Sequence, residues 1–264
     1  MHRREFVHAG LVAGTLGATG LRTDGASRHA ESRHHYELRT YELRSDMNPG
    51  RIRAFCKDAL LPALSRAGAG AVGLFSPDTG SPSQSLIALI EYSSLAAMET
   101  VAQHLDADAM YTAARRAFET GDDAPFIRYD ARLMRAFPGQ RAVEVPSAET
   151  SRPPRMFELR TYEARSAAAL ERKIAMFDEA EVSLFRSIGM TPVFFGENLF
   201  GTRLPSLTYM LTFDDIVART KAWNTFRSHP EWQRINNDDK WKAVGSVTVT
   251  NVAYLSPLPF SPIR

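Results

Sequence analysis

One nine-residue motif occurs twice in this chain, and it constrains the fold more than any other feature. Residues 36–44 read Tyr-Glu-Leu-Arg-Thr-Tyr-Glu-Leu-Arg, and residues 157–165 read Phe-Glu-Leu-Arg-Thr-Tyr-Glu-Ala-Arg. Seven of the nine positions are identical, at an offset of 121 residues. The same offset, with no gap, pairs Gly68 with Gly189, Val72 with Val193 and Gly80 with Gly201. It also pairs Ser85 and Leu86 with Ser206 and Leu207, and Pro138 with Pro259. A register held over that distance is the mark of a duplication. Two units are too few to stack as a solenoid, so the copies should pair with each other.

Hydrophobic periodicity gives the same element order in each copy. The motif alternates like a strand. Asn48 and Pro49 then supply an N-cap and a first-turn proline. Ile52, Phe55, Cys56, Ala59, Leu60, Ala63, Leu64 and Ala67 fall on one helical face, Pro62 should kink that helix, and Gly68 closes it. Strands are expected near 72–76 and 85–92, with a Pro/Gly/Ser loop at 77–83 between them. Ser94 caps a helix carrying Leu95, Met98, Ala102 and Leu105. A helical stretch at 109–118 and a strand at 127–137 complete the copy. The second copy predicts strands at 157–165, near 193–196, 206–213 and 247–255, and helices at 168–188, 216–226 and from Pro230. The order β-α-β-β-α-β is the split βαβ, or ferredoxin-like, unit. The fold class is α+β, two such units pairing within one chain as an α/β barrel. Domain 1 spans 34–138, a polar linker with Pro146, Pro153 and Pro154 spans 139–155, and domain 2 spans 156–264.

Residues 1–33 stand apart as an export signal and flexible segment. Arg3 and Arg4 are followed two positions later by Phe6, then by a Gly- and Ala-rich apolar run from Ala9 to Leu21. This arrangement resembles a twin-arginine export signal. A membrane span needs about 20 strongly apolar residues, so a stable anchor is not expected. Periplasmic or secreted localisation follows. Ala18, Gly20, Ala26 and Ala30 are the candidate cleavage positions. Residues 1–30 carry four basic and two acidic groups, which leaves the remainder at 28 of each. A neutral body offers no footprint for nucleic acid.

With the repeat in hand, the chain resembles the NIPSNAP family of dimeric α/β-barrel proteins. The Glu-Leu-Arg-x-Tyr strand that opens each copy carries the resemblance, over about 36–138 and 157–259. So does the run from Trp223 through Asn224, Thr225, Phe226, His229, Pro230 and Glu231 to Trp232. The first copy departs there: Ala102 matches Trp223, and Tyr111 matches Trp232. The resemblance implies ferredoxin-like units paired through their sheets. The wider superfamily includes cofactor-free oxygenases, haem-binding and haem-degrading proteins, and members without known chemistry, so fold does not choose a reaction.

Alternation along the first strand puts Tyr36, Leu38 and Thr40 on one face and Glu37, Arg39 and Tyr41 on the other. The apolar face is expected to meet the helices. The polar face would then point into the barrel, where Glu158, Arg160 and Tyr162 join it. These six are the candidate substrate-binding residues, and two readings stay open. They form either a salt-bridge network joining the copies or a pocket for a small organic anion or enolic substrate. In the pocket, arginine holds the anion and tyrosine supplies a hydrogen bond or proton. Tyr209, Met210, Phe194, Phe195 and Phe200 are candidate apolar walls. Small-molecule binding, a cofactor-independent monooxygenase or isomerase, and a structural or interaction module are the three function classes. A homodimer is also open.

No metal or cofactor is expected. Five of the seven histidines lie within residues 1–35. Only His104 is placed to be a haem ligand, and His229 reads as a helix cap before Pro230. The pairs Asp122 and Asp123, Asp214 and Asp215, and Asp238 and Asp239 read as turns and caps. Cys56, whose repeat partner is Phe177, reads as core. No glycine-rich nucleotide loop or Gly-x-Ser-x-Gly elbow is present.

Overall fold

The computed structural model describes residues 32–43, 48–79, 84–120, 125–147, 153–242 and 247–264. Residues 1–31 of the export segment, Gly80, Asp122, Asp123 and linker residues 148–152 lie outside the described residues. Eight strands form one closed barrel in the order β1-β3-β2-β8-β5-β7-β6-β4. In the first copy they are β1 His35–Glu42, β2 Val72–Thr79, β3 Ser85–Tyr92 and β4 Arg128–Ala136. In the second they are β5 Met156–Ala164, β6 Thr191–Phe200, β7 Ser206–Phe213 and β8 Val247–Pro257.

Each copy contributes the ferredoxin-like order 4-1-3-2, and two seams close the barrel. β2 pairs with β8 and β4 with β6, both antiparallel. At one seam Phe75 faces Pro257, and at the other Ala136 faces Gly196. These are the same positions under the 121-residue offset, so the barrel carries a pseudo-twofold axis. Gly196 is small because Met134 lies against it: a Cβ there would sit 2.9 Å from the Met134 Cβ. Closure leaves no open sheet edge.

Helices cover the outside. In the first copy they are α1 Gly50–Phe55, α2 Leu61–Ala67, α3 Leu95–Ala107 and α4 Ala109–Glu119. In the second they are α5 Ala167–Met176, α6 Val182–Ser187, α7 Ile216–Ser228, α8 Pro230–Asn237 and α9 Asp239–Lys242. The caps follow the sequence: Ser94 accepts from Ala97 N–H, Asp215 from Ala218 N–H and His229 Nδ1 from Glu231 N–H. Gly68 and Gly189 close their helices at φ 88° and 81°, where a side chain is disfavoured.

Pro62 is not what breaks the first long helix. A π-helical turn, Cys56–Leu60, separates α1 from α2, and the equivalent Phe177–Glu181 separates α5 from α6. Ser183 stands at the second copy's counterpart of Pro62. The turn therefore belongs to the duplicated framework, and the proline is only tolerated just after it.

Burial divides into three layers. One core is the barrel interior, with Tyr36, Leu38, Phe75, Leu89, Met134, Phe157, Leu159, Phe194, Met210, Leu255 and Ile263. The other two lie between sheet and helices, one per copy. Tyr36 and Leu38 thus face the barrel axis and Tyr41 faces the helices, the reverse of the expected assignment. Period-two alternation separates two faces but does not say which one encloses the axis. Here both faces are buried, and the charged set goes to the helix-covered side, where Tyr92 donates to Glu37 and Arg219 and Trp223 donate to Glu158.

Candidate functional site

The six candidate residues do not share one space. Glu37, Arg39 and Tyr41 lie beneath the helices of the first copy, and Glu158, Arg160 and Tyr162 beneath those of the second. In the first copy, Arg39 donates to both Glu37 oxygens, at 2.9 Å from Nη2, and Tyr92 Oη donates to Glu37 at 3.0 Å. Tyr41 packs in the same layer, and burial raises its phenol pKa.

The second copy elaborates this arrangement. Glu158, fully buried, accepts from Arg160 Nη1 at 2.6 Å, from Arg219 Nε and Nη2 at 2.9 and 2.8 Å, and from Trp223 Nε1 at 2.7 Å. Burial alone would raise its pKa, but the bonds from Arg219, Trp223 and Arg160 outweigh it and hold the carboxylate below its ordinary range. Arg160 Nε also donates to Tyr162 Oη at 3.2 Å, and its guanidinium lies 4.5 Å from the Trp223 ring centre. Tyr162 Oη is 2.8 Å from Tyr209 Oη, whose pKa burial pushes well above normal. Beside them, Lys173 on α5 is ion-paired with Glu181, the last residue of the π turn, both buried. The first copy has Ile52 and Leu60 at these two places, and Ala88, Met98 and Ala102 where the second has Tyr209, Arg219 and Trp223. Glu158 and Arg160 are thus satisfied by partners from their own copy, and the two Glu-Arg pairs do not join the copies as a network.

One space available to a ligand is at one end of the lumen. A cavity of about 530 Å³ opens there, lined by Leu38, Thr40, Ile87, Arg132, Leu159, Thr161 and Arg203, with Asp130 and Ala253 among its other residues. The opposite end is closed by the chain itself: Ile263 is buried in the interior core and Val143 packs against it. Arg132 projects from β4 into the mouth. Its Nη1 donates to Thr161 Oγ1 and to Thr208 Oγ1, each at 3.1 Å. Among the described residues it has no carboxylate partner. Burial, with a contribution from nearby Arg203, lowers its pKa despite Glu163 and Asp130. Arg203 sits in the β6–β7 turn at φ 64°, unusual for a residue with a side chain, and reaches Glu163 at 3.5 Å.

Of the proposed apolar walls, Met210 and Phe194 do face the lumen, but Tyr209 and Phe195 belong to the helix-covered layer and Phe200 is exposed. Arg132 and Arg203 did not enter the sequence reading. Arg132 lies outside the repeated motif, and its repeat counterpart is Ala253. That charge difference between aligned copies was the available signal. Among the described residues, no group of three metal-ligating side chains comes together. His104 Nδ1 is 3.3 Å from the Ala67 carbonyl, at the end of α2. Cys56 is buried, and burial pushes its thiol pKa up to about 12.

Solved structures align with most of this chain. A monooxygenase-like protein from Lactobacillus acidophilus NCFM matches at a TM-score of 0.58 and 10% identity, over 85% of this chain and 94% of its own. A second, from Fusobacterium nucleatum, matches at 0.57 and 9%, over 86% and 93%. At such identities the likeness shows the fold alone. An uncharacterised NIPSNAP-like domain protein from Burkholderia xenovorans also matches, at 18% identity and a TM-score of 0.37, over 41% of this chain and 89% of its own. No curated protein matches in sequence. The NIPSNAP family profile matches twice, over residues 36–129 and 157–262. With the repeated strand motif and the two half-barrels, this establishes that the chain belongs to the NIPSNAP family and carries two tandem copies of its domain.

Proposed function

We propose that this chain is an exported small-molecule-binding protein whose site is the open mouth of the barrel. The observation that carries the reading is Arg132: a half-buried guanidinium at the wall of a cavity of about 530 Å³, bonded only to two threonine hydroxyls among the described residues. Burying a cation without a countercharge costs stability. Retaining one inside an otherwise packed lumen is expected where a ligand completes it. The volume falls in the range of about 300–1,000 Å³ usual for small-molecule sites.

The test is native mass spectrometry, with an absorption spectrum, on protein purified from its own extracytoplasmic fraction. A bound small molecule on the wild type that is missing from Arg132→Met supports the reading. Bare polypeptide mass in both, together with no binding from a metabolite library, sinks it. Export is tested separately: replacing Arg3 and Arg4 with lysine should leave the protein in the cytoplasm with its N-terminus uncleaved.

A further inference from the structure

The hydroxyl protons around Arg132 can be placed by elimination, and their placement decides what the mouth accepts. Thr208 Oγ1 is fully buried and receives two N–H donors, Arg132 Nη1 and Asn198 Nδ2, both at 3.1 Å. Neither donor can reverse, because guanidinium and amide nitrogens do not accept. Both lone pairs of Thr208 are thereby used, so its own proton goes to Thr161 Oγ1, 3.0 Å away. Thr161 Oγ1 already receives Arg132 Nη1 at 3.1 Å, so it too accepts twice. Its O–H has no acceptor left among the described residues, and Thr161 lines the cavity. Turning the Asn198 amide around would not help. It would strand two N–H donors instead of one oxygen, since Nδ2 also bonds Ser206 Oγ at 2.7 Å and only Oδ1 is now without a partner.

What this cluster leaves to a ligand is therefore donors: the Thr161 hydroxyl and the guanidinium N–H groups not engaged by the threonines. The opposite wall differs. Under the repeat offset, Arg132 becomes Ala253, Thr208 becomes Ile87 and Asn198 becomes Pro77, all three lining the cavity beside Leu38. The β5-β7-β6-β4 half carries the donors Arg132 and Thr161, with Asp130 at its rim; the β1-β3-β2-β8 half is mixed, its apolar residues lying beside Thr40, Ser85, Thr250 and Asn251. Asp130, exposed at the rim, and Glu163 near Arg132 oppose a ligand of high negative charge.

We infer that the mouth takes an amphipathic organic monoanion, a carboxylate on an aromatic or aliphatic body. The carboxylate bonds Arg132 and the Thr161 hydroxyl, with Arg203 beside it, and the body lies over Leu38, Ile87 and Ala253. This rests on the mouth being the binding site, and it adds the ligand class.

The experiment is calorimetric titration of the full mature chain with matched pairs: naphthalene-2-carboxylate against its carboxamide, and decanoate against decanamide. Acetate serves as the head group alone, and the neutral dye Nile red as a probe for the apolar residues. Each carboxylate should bind at least about tenfold more tightly than its amide, as expected for charge-assisted hydrogen bonds. That preference should vanish in Arg132→Met and shrink in Thr161→Val. If Arg132→Met does not fold, Arg132→Gln and Thr161→Val carry the test. Amides binding as well as acids, or a preference that survives these substitutions, overturns the anion assignment while leaving the mouth a binding site. No binding of any acid, amide or dye removes the mouth itself.

Discussion

Individual buried charges in this chain behave according to whether they are paired, and three predictions follow at that scale. Glu158 is held below the ordinary glutamate range, so its contribution to stability is present above the unfolded value of about 4.3 and is lost as pH falls through the lower folded value. Urea denaturation at about pH 3 should show a loss that Glu158→Gln no longer shows. At neutral pH that variant should itself cost about 3–5 kcal/mol, because Arg160 and Arg219 lose a charged partner. Arg132 predicts the opposite behaviour: Arg132→Met should leave the melting temperature unchanged or raise it, since a desolvated and unmatched charge is removed. Cys56, buried and pushed up to about 12, should react with a disulfide reagent only at the rate of unfolding. Fast native labelling of Cys56 would contradict its burial.

At the scale of elements, the two π turns allow a direct comparison. Both occupy one register, yet one has Ile52 and Leu60 where the other has the ion pair Lys173 and Glu181. The framework therefore tolerates an apolar pair. Lys173→Ile alone should cost about 3–5 kcal/mol, whereas Lys173→Ile with Glu181→Leu should be neutral or stabilising by about 1–4 kcal/mol. A double-mutant cycle by chemical denaturation checks this. Most elements were legible in the sequence because local signals set them: β3 and β7 begin and end with the apolar runs that form them, and Ser94, Asp215 and His229 cap as their side chains require. The π turns were not, since nothing in local composition marks an extra residue per turn, and Pro62 suggested the wrong cause. The facing of β1 and β5 was also missed. Their polar residues are buried with partners on distant elements, such as Arg219 and Trp223 on α7, which alternation cannot reveal. The mouth was missed for a similar reason, as Arg132, Thr161 and Thr208 meet only when β4, β5 and β7 come together around the barrel.

At the scale of the molecule, the seams make the two halves interdependent. Each half alone would expose the β2 and β4 edges, or the β6 and β8 edges, as unpaired strands. Expressed separately, residues 34–147 and 153–264 should aggregate or self-pair. Co-expressed, they should elute together as one complex on size exclusion. Stable monomeric halves would mean that closure is dispensable.

Joining the halves in one polypeptide has a further effect. In a barrel assembled from two identical chains, every substitution is made twice, and a residue useful on one wall is imposed on the other. Peptide linkage removes that obligation. Thr208 and Ile87, or Arg132 and Ala253, can then answer to different selective demands although they descend from single ancestral positions. The duplication thus doubled the number of independent choices open to mutation around the axis, and the unlike walls of this barrel are what such freedom permits.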